Sequence, residues 1–123
     1  MSKLFLSSQE NDLRNNWRRG CELAAQDRES EHDPRPVVKL FNPCGAATWL
    51  LTELFTEDGV DMAFGLCDLG FGTPELGYVS IDELADIRVM GGLLGIERDR
   101  HFIADKTLSE YAAEAREIGR INV

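Results

Sequence analysis

The densest gathering of reactive side chains in the sequence is Glu97-Arg-Asp-Arg-His101, where acid, base and imidazole fall together. Such a group can transfer protons or hold a phosphate. On a strand, however, Glu97, Asp99 and His101 point one way and Arg98 and Arg100 the other. That pattern suits an edge strand making cross-strand ion pairs, so a structural or interaction role is preferred to catalysis. The alternative is a small enzyme or ligand-binding protein that uses this segment with Glu75 and Tyr78.

Cys44 lies between Pro43 and Gly45 in an expected turn. A nucleophilic cysteine needs a histidine or another electropositive neighbour to hold it as thiolate. Only His32 and His101 exist, and neither spacing singles one out, so packing is the reading adopted. Cys21, Cys44 and Cys67 are odd in number and far apart, which fits neither a disulfide framework nor a zinc ligand set. The glycine-rich Asp68-Leu-Gly-Phe-Gly-Thr-Pro-Glu75 lacks the lysine and the spacing of a phosphate loop and reads as a hairpin connection. Phe71 at its centre would suit a protein interface if exposed, or the core if buried. Asp58, Asp61 and Asp68 do not follow the ligand order of a calcium loop. No metal and no cofactor is expected.

Charge is more informative than any motif. The chain of 123 residues has 22 acids and 13 bases, a net charge of −9. Nine of those acids fall between Leu40 and Ile87 (Glu53, Glu57, Asp58, Asp61, Asp68, Glu75, Asp82, Glu83, Asp86), a stretch without one Lys or Arg. The flanks balance at thirteen of each sign. A one-signed field repels phosphate backbones and attracts basic partners, which argues against direct nucleic-acid binding. The plainer reading is that these acids keep an ordinary surface soluble. If they bind a partner, the expected contact residues are Glu57, Asp58, Asp61, Asp68, Phe71 and Glu75.

These residues need elements to position them. Ser7-Ser-Gln-Glu10 has the form of a capping box, and Leu13, Trp17, Cys21 and Ala24 share a helical face, so a first helix is expected over 8–28. Pro34 and Pro36 close it with a polar loop. Four strand-like runs follow, at Val37–Phe41, Ala47–Phe55, Met62–Cys67 and Glu75–Val79, with turns at Asn42–Gly45 and Glu57–Gly59. Links this short favour an antiparallel meander. The second run is apolar on both faces, as a strand covered on both sides would be. Ser80–Glu83 caps a short helix stopped by Gly91 and Gly92, and Gly95–Ile103 is a fifth, edge-like strand. Thr107–Glu110 caps a closing helix over 107–120 carrying Leu108, Tyr111, Ala112, Ala115 and Ile118. The expectation is one α+β domain over 1–123, an antiparallel four- to five-stranded sheet with three flanking helices in the order α-β-β-β-β-α-β-α, its sheet core and short helix spanning 37–103. The opening Met1–Leu6 is too short for a secretory leader, and no apolar run approaches the ~20 residues that span a bilayer, so a cytoplasmic protein is expected.

Between Val37 and Tyr111 the sequence resembles domain-of-unknown-function family 2958. The likeness is carried by Val38-Lys-Leu-Phe-Asn-Pro43, Trp49-Leu-Leu-Thr-Glu53, Phe64-Gly-Leu-Cys-Asp68, Glu75-Leu-Gly-Tyr-Val-Ser-Ile-Asp-Glu-Leu84 and Ile96-Glu-Arg-Asp-Arg-His-Phe102. The helix over 8–28 and the loop with His32 fall outside it, and it gives Cys44 no role. The resemblance implies an accessory protein of plasmids, phages and integrative elements, and supplies no activity. Together with the charge block it leads to the expectation of a non-enzymatic acidic protein. Such a protein would occupy a basic nucleic-acid-binding site on a partner, in the manner of anti-restriction and anti-CRISPR inhibitors. A homodimer built on the edge strand or the first helix is a third possibility.

Overall fold

The run read as apolar on both faces lies at the centre of a five-stranded antiparallel sheet. The computed structural model describes residues 4–123. Met1–Lys3, part of the segment read as too short for a leader, lie outside the described residues. Strand β1 is Val38–Phe41, β2 Thr48–Glu57, β3 Val60–Asp68 and β4 Glu75–Ser80, and the sheet order is β4-β3-β2-β1 with the two-residue β7, Glu97–Arg98, beyond β1. The meander is the one expected from the short links. Its tightest link, Asp58-Gly59, has φ of 52° and 76°, the paired left-handed residues of a hairpin turn that follows the strand twist.

Helices cover the sheet unevenly. On one face Trp49, Leu51 and Leu54 of β2 pack with Ala63 of β3, Leu4, Phe5, and Ile81 and Leu84 of helix α2, Ile81–Asp86. On the other, Leu50 and Leu66 are buried beneath Leu108, Tyr111, Ala112 and Ala115 of helix α3, Leu108–Ile118. Leu50 is fully buried, and its truncation to alanine should cost roughly 2–5 kcal/mol. Helix α1, Ser7–Ala25, does not lie flat on either face. β1 pairs only with Thr48–Leu51, so beyond that point β2 has β3 on one side, and α1 takes the other. There Asn16 Nδ2 donates to the Thr52 carbonyl at 2.9 Å, satisfying an edge acceptor.

Several local expectations shift. Ser7 is helical and does not cap; the cap position is Leu6, whose N–H donates to the Gln9 side chain at 2.9 Å. Burial of Leu4 and Phe5 anchors the chain just ahead of that point. The buried face of α1 is Leu13 and Leu23 with half-buried Trp17 and Gly20, while Cys21 and Ala24 are exposed. The helix ends at Ala25, before the prolines, because Asp27 turns left-handed (φ 55°) and the Asp27 and Arg28 amides fold back on the Ala24 and Leu23 carbonyls. Gly91 and Gly92 do not stop α2. With Met90 they form a run of positive φ that turns a small hairpin of β5, Arg88–Val89, and β6, Leu94–Gly95. The expected strand over Gly95–Ile103 shrinks to β7, since Asp99 accepts the His101 N–H in a tight turn that ends the pairing. The caps at Ser80 and Thr107 form as expected. Among the described residues no helix is long and apolar enough to cross a membrane.

Candidate functional site

The two residue sets suggested by the sequence are dispersed by this fold. Glu97, Asp99 and His101 line a shallow groove of about 480 Å³ at the β7 edge, with Lys39, Phe41, Arg98 and Arg100. Tyr78 and Glu75 stand on β4 at the opposite edge, four strand spacings or roughly 19 Å away. In the groove Asp99 does structural duty. The His101 amide and the Lys39 ammonium at 3.3 Å hold its carboxyl below the usual aspartate range, against a smaller opposing effect of burial.

The acids separate likewise. Glu57 and Asp58 are exposed at the β2–β3 turn, and Asp61 nearby is joined to Arg14 of α1 at 3.4 Å. Because Met62 pairs with Ser80, the start of α2 falls at this same end, adding the exposed Asp82, Glu83 and Asp86. Asp68, at the far end of β3, is not a surface acid. It is 2% exposed, and its two oxygens accept the Gly70 and Ile121 amides at 2.9 Å each, tying the C-terminal tail to the sheet. Phe71, 84% exposed, and Glu75 lie near Asp68 and away from the other acids. Cys44 is exposed in an Asn42-centred turn, its N–H donating to Asn42 Oδ1. Burial pushes the Cys67 thiol up to about 11, which leaves it unreactive at neutral pH.

A third place was not foreseen. β2 carries a bulge at Thr52: Leu51 pairs with Gly65 but Glu53 with Phe64. Without the extra residue, period-two alternation would set Glu53 beside Trp49 and Leu51 in the first core layer. With it, Glu53, Phe64 and Tyr78 form one row across three strands on the second face. Glu53 is 6% exposed. Its Oε1 meets His32 Nε2 at 2.8 Å and its Oε2 accepts the Thr52 hydroxyl at 2.8 Å, so each oxygen of the buried carboxylate has one partner and keeps further acceptor capacity.

His32 is fixed from behind. The adjacent Asp33 accepts the Ser109 amide at 3.0 Å and the Ser109 hydroxyl, and the Pro34 carbonyl accepts the Leu108 amide at 3.0 Å. The polar loop that follows α1 is therefore stapled to the first turn of α3. Burial disfavours the Asp33 carboxylate, but the Ser109 and Thr107 donors outweigh it and hold the group below its ordinary range. Gly20 of α1 closes the far side: a Cβ there would stand 2.9 Å from His32 Nε2.

The result is a cleft between α1 and α3. Its floor is the Glu53–Phe64–Tyr78 row, one wall is Trp17, and His32 and Asp33 sit at the opposite rim in a hollow of about 390 Å³. A second hollow of about 600 Å³ shares Trp17 and Tyr78 and reaches Phe55, Met62 and Glu57. Trp17 stacks on Phe55 at 4.1 Å, and Tyr78 meets Phe55 edge-on at 5.8 Å and Phe64 at 4.9 Å. Among the described residues no Lys or Arg lines either hollow, whereas four carboxylates do: Glu29, Asp33, Glu53 and Glu57. Ring faces and carboxylates both favour positive charge, so the cleft disfavours phosphates and carboxylates as ligands.

The sequence profile of a family described as proteins of unknown function (DUF2958) matches residues 4–122. The chain belongs to this family. The match is wider than the Val37–Tyr111 likeness seen in the sequence and takes in α1, His32 and the closing residues, so every side chain of the cleft lies inside the family's extent. No curated protein and no solved structure matches the chain. In the sequence, the signals for the cleft were the polar pair Thr52-Glu53 inside an apolar run and a glycine in mid-helix at Gly20.

Proposed function

We propose that the protein is an acidic binding protein of a mobile genetic element that covers a basic, nucleic-acid-binding site on a partner protein. The observation that carries this reading is the exposed acid group at one end of the sheet. Glu57, Asp58, Asp82, Glu83 and Asp86 are exposed and have no ion-pair partner among the described residues. Self-repulsion among unpaired like charges is relieved when a basic surface covers them. The comparison with anti-restriction and anti-CRISPR inhibitors is one of charge and origin, not of fold. Relative to the sequence reading, Asp68 leaves the contact set, Asp61 is shared with Arg14, and α2 enters it.

The test is a triple variant, Glu57→Lys with Asp82→Lys and Asp86→Lys, all at exposed positions. Tagged protein is expressed in a bacterial host, and co-purifying proteins are identified by mass spectrometry at about 50 mM salt, where screening is weak. The expected outcome is a basic nucleic-acid-handling protein retained by the wild type and lost from the variant, with circular dichroism unchanged. Equal retention by both proteins would sink the proposal.

A further inference from the structure

The acid end explains attraction but not specificity, since exposed charge steers partners without fixing a register. The cleft between α1 and α3 supplies what is missing. It opens directly onto the acid end, because Glu57 belongs both to the β2–β3 turn and to the hollow walled by Trp17, Phe55 and Tyr78. Resting on the binding reading above, we infer that this cleft seats an arginine side chain presented by the basic partner.

Three features select that occupant. Among the described residues the lining combines aromatic faces and carboxylates with His32, whose Nε2 is already committed to Glu53, and contains no Lys or Arg, so a bound group must be cationic to gain from the rings or the carboxylates. An anion would meet four acids. A neutral apolar group would lie over Glu53, 6% exposed, and strip its remaining hydration without replacing it. Between the two basic side chains the shape decides. A guanidinium is flat and weakly hydrated, stacks on a ring face, and carries five donors for carboxylates around it. An ammonium is compact and strongly hydrated and uses a ring face less well. Tyr78 is the ring that remains accessible, 57% exposed, whereas Trp17 and Phe55 already cover one face of each other. The cleft is also rigid before anything enters it: Glu53, His32 and Asp33 are each held by hydrogen bonds, so little ordering remains when a side chain docks.

The experiment is a nuclear magnetic resonance titration of the full, isotope-labelled chain with acetyl-triarginine amide at low salt. Parallel titrations use acetyl-trilysine amide and the neutral citrulline analogue. Saturable shifts are expected at the Trp17 indole N–H, His32, Phe64 and Tyr78, with the arginine peptide binding more tightly than the lysine peptide and the citrulline peptide not at all. Tyr78→Ala should weaken the arginine peptide about tenfold, while Tyr78→Phe, which keeps the ring, should bind as the wild type does. Both substitutions are at a side chain that is 57% exposed, and unchanged circular dichroism is the check that the fold is retained. Shifts confined to Glu57, Asp58 and α2 and indifferent to Tyr78→Ala would overturn the cleft while leaving the acidic-surface reading in place. Equal affinity for the lysine peptide in the cleft would overturn the choice of arginine. No shift anywhere would overturn both the cleft and the acidic surface as binding sites for a basic chain.

Discussion

Gly20 sits inside α1, where glycine costs about 1 kcal/mol relative to alanine. Its place there follows from the pair it faces: an added Cβ would press on His32 Nε2 at 2.9 Å and Glu53 Oε1 at 3.3 Å. Gly20→Ala should therefore forgo the helix gain and lower stability by roughly 1 kcal/mol, because the hydrogen bond of a buried carboxylate is disturbed. Urea denaturation reads this directly. In a His32→Ala background the closer obstacle is gone and only Glu53 Oε1 at 3.3 Å remains, so the loss caused by the same substitution should shrink; a gain in the wild-type background instead would mean that the pair is not held as described. This part of the site was hidden in the sequence for a definite reason. Alternation assigns Glu53 to the face of Trp49 and Leu51, and only the bulge at Thr52 moves it to the other, a change that residue types alone do not announce. Tyr78 was legible as a candidate but was grouped with Glu97, Asp99 and His101, which strand order sets at the opposite edge.

At the level of elements, the junction between the His32 loop and α3 positions the cleft. Asp33 and Pro34 satisfy the Ser109 and Leu108 amides, and Glu110 accepts the Thr107 amide, so the helix start is fully capped. Asp33→Asn should cost roughly 1 kcal/mol at neutral pH, the usual size of a lost capping interaction. The pH dependence has a fixed sign. The Asp33 carboxyl is held below its unfolded value, so its contribution is complete above that value and disappears as pH falls through the folded one. The stability gap between wild type and Asp33→Asn, measured by urea unfolding, should be full at neutral pH and shrink below about pH 4. A gap that persisted or grew in acid would contradict the assignment. The elements themselves were mostly readable. The four meander strands and the Ser80 and Thr107 caps announce themselves through β-branched runs and hydroxyl-to-glutamate spacing. The end of α1 was not, because Asp27 adopts a left-handed conformation more usual for glycine, and prolines further on drew the boundary too late. The β5–β6 hairpin escaped notice because two-residue strands have too few side chains to show a period.

The whole molecule is polarised by charge. Its net charge of −9 resides in the segment from Leu40 to Ile87, and the fold gathers Glu57, Asp58, Asp82, Glu83 and Asp86 of that segment at one end of the sheet. Buried Asp68 serves the interior, so a count of acids along the chain overstates what a partner meets. Binding of a basic protein by such a surface is governed by screening, with a Debye length of about 10 Å at 0.1 M salt. The most direct test of the central claim is the dissociation constant of the co-purified basic partner as a function of salt. Affinity should fall steeply between about 50 and 200 mM, and the slope should flatten in the Glu57→Lys, Asp82→Lys, Asp86→Lys variant as contacts are lost. An affinity insensitive to salt, or a slope the variant leaves unchanged, would contradict an acidic surface as the basis of recognition.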